Sequence, residues 1–411
     1  MKFLSNASPA YIATFALCLL AACGGDDANS ADSNNQPDTH ADVIGADTES
    51  DADSDADVAP GNEGFAEEAF SFKADFGATD GQICFEFRTR EAVDCEANSD
   101  SWDMMFEKSG RSMAIWTNGG VFGSGEGAAL GPMDAEMAGG MQAYSDVPGW
   151  FTDSVGGAIL ASPWQAYDLF GYHGITPNYR VYAVANTTAT YKLQILSYYG
   201  SAGESAHLHL RYAPIEGGEV SELVIDASAG GFGARRDNPA NKYTYVDLEL
   251  GEVLELTDEE AASNTDWDLG FKRFEVIANG GKSGPGETHT ALAAEIEGLY
   301  GEDTNPIKEA FQALDMEQAD ALFDGVNSID GLDFMADKNV PFMINDGEAN
   351  SWWGMQFGAG GPELFARPEH IYAVRGAQWT SFAKMHVTEV LRDGTDISIS
   401  ADFFIQTLPQ E

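Results

Sequence analysis

Apolar and polar positions along the chain alternate over short runs that favour strands, and one such pattern occurs twice. Residues 102–127 read WDMMFEKSGRSMAIWTNGGVFGSGEG, and residues 267–287 read WDLGFKRFEVIANGGKSGPGE. Aligning Trp102 with Trp267 also aligns Asn118 with Asn279 after one short length difference between the copies. Each copy is typical of an apolar strand that runs into an Asn-Gly turn, because this dipeptide readily adopts positive φ angles. The pattern predicts a duplicated β unit.

The repeat extends in both directions from this motif. Ile83–Asp94 matches Tyr243–Glu255 as two short runs around a turn, and Asn178–Leu196 matches Glu369–Thr388 as two strands around a turn. The unit is much longer than the 20–50 residues of solenoid or propeller repeats. We therefore predict a mainly β protein of two tandem antiparallel β domains, residues 64–240 and 241–411. Asn305–Asp324 has helical periodicity and predicts a short helical insertion in the second domain.

The first residues have the features of a targeting segment. Tyr11–Leu20 is an apolar run too short to span a bilayer. Its last residue begins the segment Leu20-Ala21-Ala22-Cys23, which is rich in small residues. This resembles a bacterial lipoprotein signal peptide, which implies removal of residues 1–22, lipidation of Cys23 and an anchor in the outer membrane. An ordinary signal peptide with an incidental cysteine is the alternative.

Residues 24–63 contain no Lys, Arg or aromatic residue and are rich in Asp, Ser, Asn and Ala. Such a segment buries too little apolar surface to offset its ordering entropy, so residues 23–63 predict a disordered acidic tether. The Asp51–Asp57 run lacks the glycine and glutamate of an EF-hand loop. The whole chain has a net charge of −46, which argues against binding to nucleic-acid phosphates.

Two cysteines in the first domain predict a disulfide. Cys84 and Cys95 flank a turn between two predicted antiparallel strands. In the oxidising compartment implied by export, such a pair favours a covalent bridge, since a metal site needs further ligands. The second copy has no such pair.

Methionines and aromatic residues are concentrated after the first glycine-rich stretch. Met133, Met137 and Met141 recur at four-residue spacing, before Trp150 and Trp164. These side chains either form a soft apolar mouth for a flat ligand or belong to a core helix and loops that cover the sheet. The stretch Phe334–Phe357 offers a counterpart in the second copy.

The combination of Trp-Asp-x-x-Phe, Asn-Gly-Gly-x-x-Gly-x-Gly and the strands Arg180–Val184 and Tyr191–Tyr199 resembles the HmuY family of haem-binding bacterial lipoproteins. The first copy matches best, from about Phe70 to Tyr212. In the second copy, Ser381–Lys384 departs from the usual Tyr-Tyr-Lys-Leu. The resemblance implies a mostly β domain that holds haem between two side-chain ligands and passes it to an outer-membrane uptake receptor.

Candidate haem ligands follow from residue chemistry, because haem iron accepts imidazole or a methionine thioether. In the first domain the candidates are His173, in a loop, and His207, on a strand that also carries His209. His207 and His209 lie two residues apart, so they share one strand face and are equally compatible with a metal pair. In the second domain the candidates are His370 and Met385.

These candidates do not occupy equivalent positions in the two copies, so the ligand pair stays open. No motif typical of a catalytic site was identified; Gly281-Lys282-Ser283 lacks the first glycine of a phosphate-binding loop. The sequence therefore predicts a non-catalytic lipoprotein that captures haem or a related porphyrin and touches the membrane only through its lipid. The alternatives are a surface interaction module of the same fold without haem and an acidic metal-binding protein.

Overall fold

The computed structural model describes residues 64–171, 173–230, 242–301, 304–358 and 361–409. The predicted signal peptide, Cys23 and the acidic tether lie outside these residues. Within them, no helix is long and apolar enough to cross a membrane.

The first half of the chain, which we define as residues 64–214, forms twelve strands among its described residues. They are β1 (Phe70–Gly77), β2 (Gly81–Glu86), β3 (Glu91–Val93), β4 (Met104–Ser109), β5 (Ser112–Thr117), β6 (Ala128–Met133), β7 (Ser154–Gly156), β8 (Gln165–Tyr167), β9 (Ile175–Pro177), β10 (Val181–Ala185), β11 (Thr190–Tyr199) and β12 (Ser205–Pro214). Two short helices, α1 (Ala135–Gly140) and α2 (Ala158–Ala161), and a 3-10 turn at Tyr144–Asp146 lie among them.

The second half, residues 221–409, also forms twelve strands where it is described. They are β13 (Ser221–Asp226), β14 (Thr244–Asp247), β15 (Glu252–Leu254), β16 (Leu269–Lys272), β17 (Glu275–Ala278), β18 (His289–Ala294), β19 (Lys338–Val340), β20 (Trp353–Gly358), β21 (Gly361–Ala366), β22 (Ile371–Arg375), β23 (Ser381–Asp393) and β24 (Asp396–Thr407). Its helices are α3 (Asp258–Ala261), α4 (Lys308–Gln312) and α5 (Met316–Gly325). The mainly β class with a helical insertion is confirmed, and the insertion consists of two helices separated by the Asp315 cap of α5.

The two large sheets each combine strands from both halves. One has the order β1-β24-β23-β22-β6 and the other has the order β13-β12-β11-β10-β18. The smaller sheets, β3-β2-β4-β5 and β15-β14-β16-β17, each come from one half. Adding twelve to each strand number of the first half and subtracting twelve from each strand number of the second half converts each of these sheets into its counterpart. The halves have therefore exchanged their last three strands.

This exchange bears on the domain boundary predicted between residues 240 and 241. Hydrogen-bonded sheets cross this boundary, because β10 pairs with β18, β22 pairs with β6 and β24 pairs with β1. The predicted boundary does not separate two self-contained sheets, and β13, the counterpart of β1, lies on its N-terminal side. A two-stranded pairing of β7 with β19 also joins the halves.

Each sheet pair encloses one large apolar core. The first core combines Phe85 and Phe106 with Tyr372, Met385 and Phe403 of the second half, all with 0% exposure. The second contains Tyr182 and Leu193 of the first half and Phe271 of the second. Because apolar burial is the main favourable term in folding, neither half can be removed without exposing both cores.

The repeated Trp-Asp pair fastens the exchanged strands. The buried Asp103 carboxylate accepts hydrogen bonds from the backbone N–H of Phe87 (2.6 Å) and from that of Ala377 in the β22–β23 turn (2.9 Å). Its counterpart Asp268 accepts one from Asn186 in the β10–β11 turn (2.9 Å). Each aspartate therefore ties its own half to a turn of the other half.

The repeated asparagines close the glycine-rich loops from inside. Asn118 Nδ2 donates to the carbonyl oxygen of Trp102 (2.6 Å), and its Oδ1 accepts from the N–H of Gly125 (2.9 Å). Asn279 makes the same pair of bonds with Trp267 and Gly286. The asparagines end β5 and β17, while the tight reversals of the β4–β5 and β16–β17 hairpins lie elsewhere.

A second pair of aspartates lies beside the β7–β19 pairing. Asp153 accepts from the N–H of Thr117 (2.8 Å) and that of Phe342 (2.8 Å), and Asp337 accepts from the N–H of Ala278 (2.8 Å). Burial raises the pKa of Asp103 and of Asp153 to about 7 and that of Asp337 to about 6.

The predicted disulfide is confirmed. Cys84 on β2 is bonded to Cys95, with a Cα–Cα distance of 5.4 Å. Cys84 has 0% exposure and packs with Trp102 and Trp116 on the outer face of the first small sheet. The bridge therefore fastens a local cluster in one half.

The exchange predicts which engineered cysteines will form a bond. Lys73 on β1 lies opposite Ser400 on β24, whereas His209 on β12 occupies the position equivalent to Ser400 in the other sheet. Lys73→Cys with Ser400→Cys should form a disulfide spontaneously, since paired residues on adjacent strands lie within bonding reach. Peptide mapping by mass spectrometry identifies the bond. A bond in Lys73→Cys with His209→Cys instead would show that each half closes its own sheet.

The buried carboxyl groups predict a pH dependence of stability. The folded state keeps protons on Asp103 and Asp153 up to about pH 7, whereas the unfolded chain releases them near about pH 4. The folded state therefore holds more protons in this interval, and the free energy of unfolding should fall as pH rises from about 4 to about 7. Urea unfolding across the interval measures the slope, which should be smaller in Asp153→Asn. An equal slope in the variant would contradict the assignment.

Candidate functional site

His173 lies in the loop of the β8–β9 hairpin and is exposed. Its backbone has a φ of 56°, in the left-handed region, and its N–H donates to Asp168 Oδ1 (2.8 Å). Its ring stacks on that of Tyr167, with the Tyr167 hydroxyl 3.0 Å from Nδ1. The preceding Tyr172 is outside the described residues. These contacts orient the imidazole at the protein surface.

The hairpin is supported from two sides. The Tyr199 hydroxyl accepts a hydrogen bond from the N–H of Ile175 on β9 (3.0 Å). On the other side, Ala166 and the adjoining Leu169 pack in a small apolar cluster with Phe311 of α4, a helix of the second half. The loop is therefore carried by packing from both halves of the chain.

Exposed aromatic and apolar groups surround the loop. Phe170 is 39% exposed and Tyr199 is 37% exposed, and Lys308 of α4 has its Nζ 5.5 Å from the centre of the Phe170 ring. We define the β8–β9 surface as Tyr167, Phe170, His173, Tyr199 and Lys308. It combines an imidazole, aromatic faces and one cation.

His207 and His209 lie elsewhere, on β12. His207 Nδ1 is 3.1 Å from the carbonyl oxygen of Ser205, and its Nε2 is 3.6 Å from Asp226 Oδ2. His209 Nε2 is 3.1 Å from Glu222 Oε2. Among the described residues, no cluster of three or more His, Cys, Asp or Glu side chains has an arrangement that could hold a metal ion. The two histidines instead pair with the edge strand β13.

His370 and Met385 are both part of the β22–β23 region. His370 is half-buried, with Nδ1 2.9 Å from the carbonyl oxygen of Ser351. Met385 has 0% exposure, lies opposite Tyr372 on β22 and belongs to the first large core. This placement argues against the predicted role of Met385 as an iron ligand, because inward alternation on β23 directs its thioether into packed apolar side chains. The neighbouring His386 faces the other side of the sheet, against Phe404.

The methionine-rich segment also belongs to the interior. Met133 and Met141 are 3% and 5% exposed, and they pack with Leu130, Ala138 and Ala373 beneath α1. Lys384 on β23 donates to the carbonyl oxygen of Met141 (3.1 Å). Met141 is the C-cap residue of α1. Of the two interpretations of this segment, the structure supports the core helix that covers the sheet.

Two clefts on the described part of the protein have no predicted iron ligand in their lining. One has a volume of about 220 Å³ between the β4–β5 hairpin and residues 338–346. The other has a volume of about 390 Å³ between the end of β18 and α5. Their lining residues include no histidine. The candidate site is therefore an exposed surface and not either of these clefts.

The β20–β21 hairpin is the counterpart of β8–β9 in the second half. Trp164 precedes β8 and Trp352 precedes β20, and their carbonyl oxygens accept from the N–H of Asn178 and Arg367, just after each hairpin. Phe357, near the turn of the β20–β21 hairpin, is 80% exposed. The apolar run around Phe357 was recognisable from sequence, but its exposure was not, because the same run is compatible with a core strand.

The architecture is that of an antiparallel β-sheet protein with two projecting hairpins. A family model described as HmuY protein matches residues 240–403. The predicted resemblance to the HmuY family is therefore confirmed over these residues. The match covers the second half, although the sequence motifs favoured the first. That the first half is a second copy of the family domain stays a prediction. No curated protein matched the chain.

The HmuY family is associated with haem binding and is non-enzymatic. The β8–β9 surface fits this group in its donor chemistry: His173 supplies an imidazole, and the Tyr167 contact engages Nδ1 and not Nε2. Phe170 supplies an aromatic face and Lys308 a positive charge. His207 and His370 have the same imidazole donor but lie within local hydrogen bonds of the sheet and its turns.

The place of Met385 predicts a structural role for its side chain. Met385→Ala should lower the free energy of unfolding by about 2–5 kcal/mol, because it leaves a cavity in a packed core. Urea unfolding measures this loss, with Met316→Ala as the control, since Met316 is 45% exposed on α5. At a temperature where both variants are folded, Met385→Ala should bind haemin as the unmodified protein does. A lost haem spectrum in folded Met385→Ala would restore Met385 as a ligand.

Proposed function

We propose that the protein binds haem or a related porphyrin at the β8–β9 surface, with His173 as the iron ligand that the protein supplies there. The observation that carries the proposal is the exposed His173 imidazole, which is held by a tyrosine contact in the loop that also carries the exposed Phe170 ring. The family match supports haem as the ligand class.

The hydrogen bond between Tyr167 and His173 has a chemical role in this proposal. Iron is bound by a neutral imidazole nitrogen, so coordination by Nε2 requires the proton to be on Nδ1. Nδ1 then donates to the Tyr167 oxygen, which fixes the tautomer and the ring orientation. Phe170 and Tyr199 contribute apolar area that excludes water from one face of a flat ligand.

Haem supplies the iron and its redox chemistry when bound, and the protein holds and delivers it without catalysis. The lipoprotein features of Met1–Cys23 support an outer-membrane lipid anchor, on its periplasmic or external face. The acidic segment from Gly24 to Glu63 then gives the folded part reach from the membrane. In this role the partner is an outer-membrane uptake receptor.

A second candidate function is an interaction module that does not bind haem. Its support is the 80% exposure of Phe357 on the β20–β21 hairpin, together with two clefts whose lining contains no imidazole. Aromatic side chains, including Phe, are enriched in protein interfaces relative to the rest of the surface.

Haemin titration of residues 64–411, followed in the Soret region, distinguishes these functions. We expect saturation at one haem per chain, and His173→Ala should weaken binding by roughly tenfold or more through loss of the iron bond. Tyr167→Phe should weaken it less, because the ligand remains while its orienting partner is lost.

The matched controls are His207→Ala and His370→Ala, which remove imidazoles with local hydrogen-bond partners. They should bind as the unmodified protein does. Saturation that depends on either control and not on His173 would move the site. A chain that gives no saturable spectral change in either iron redox state would support the interaction module instead.

A further inference from the structure

Lys308 is the cation of the β8–β9 surface. It lies in the first turn of α4, is exposed, and has its Nζ 5.5 Å from the centre of the Phe170 ring. Among the residues that the structure describes, no carboxylate lies within salt-bridge distance of Lys308, whereas the nearby Arg180 pairs with Glu295 at 2.7 Å. The positive charge of Lys308 is therefore available at the rim of the hairpin.

This cation comes from the other half of the chain. The connection from β18 to β19 covers residues 295–337, whereas the equivalent connection from β6 to β7 covers only residues 134–153. The additional length includes α4, whose Phe311 packs with Leu299 and Ala166 under the hairpin. The exchange of strands is what brings this second-half insertion beneath a first-half loop.

Because the protein is strongly acidic, a cation at this surface is important for the binding of an anionic ligand. With 67 acidic and 21 basic residues, the chain repels an anionic ligand over most of its surface. The Lys308 amine lies over the Phe170 ring, so it is placed to meet a carboxylate at the edge of a flat ligand that packs beside this ring. Partial exclusion of water by the aromatic groups strengthens a charge pair there relative to one in bulk solvent.

We propose that Lys308 recognises a carboxylate of the bound ligand, so that the site selects porphyrins with free acid side chains over neutral esters. This inference rests on the proposed function. Lys308 acts as a specificity-determining residue, while His173 remains the iron ligand, and the complete site requires both halves of the chain.

The test compares haemin with haemin dimethyl ester, which has the same ring and iron but no free carboxylates. Dissociation constants for both are measured from the Soret change and from quenching of protein fluorescence. In Lys308→Ala, the ratio of acid affinity to ester affinity should fall by roughly two- to fivefold, the range expected for one partly exposed ion pair. Lys308→Arg should preserve the ratio, because it keeps the charge.

Lys282→Ala is the matched control, since Lys282 is an exposed lysine outside the β8–β9 surface. It should leave the ratio unchanged. A ratio in Lys308→Ala equal to that of the unmodified protein, with His173→Ala still weakening both ligands, would overturn the role of Lys308 while the haem site stands. If the unmodified protein binds neither compound, the proposed function and this inference both fail.

Discussion

The pairing of the first strand of the folded region with the last is the constraint on which the rest of the structure depends. β1 lies along β24, and the same sheet continues through β23 and β22 to β6. A slip of one residue in such a sheet would turn every core side chain outward, so the register of these strands is strongly specified. Buried Asp103 reinforces it by accepting a hydrogen bond from Ala377 across the two halves. The first and the last described strands are consequently part of one core.

The same exchange determines where the functional surface lies. The β8–β9 hairpin of the first half rests on α4 of the second half, and this support places Lys308 beside Phe170. The connection equivalent to the one with α4 is short in the first half, and Phe357 on the β20–β21 hairpin is 80% exposed. Two hairpins with equivalent places in the fold have therefore acquired different surroundings. The difference in length between the two connections therefore makes the surroundings of the two hairpins chemically distinct.

Several features followed from the sequence because their causes are local. The hairpins β2–β3 and β14–β15 follow from short alternating runs around turns, and the Cys84–Cys95 bond follows from two cysteines on adjacent strands. For Met385, residue chemistry predicts an iron ligand, whereas the structure places the side chain in the first large core. A thioether on a strand has the donor chemistry of an iron ligand, but the side of the sheet that it faces decides whether a ligand can reach it, and that side is filled by Tyr372 and Phe403.

The sequence by itself determined the mainly β class, the repeated Trp-Asp and Asn-Gly-Gly segments and the set of residues with haem-ligand chemistry. Local periodicity and turn chemistry act over a few residues, so they can be recognised from the order of amino acids alone. Only the tertiary structure decided which half closes each sheet, since β12 and β24 offer equivalent edges to either partner strand. It also decided that His173 is exposed, that Met385 is enclosed and that Lys308 lies beside a loop more than one hundred residues earlier, because these depend on long-range packing that no local pattern encodes.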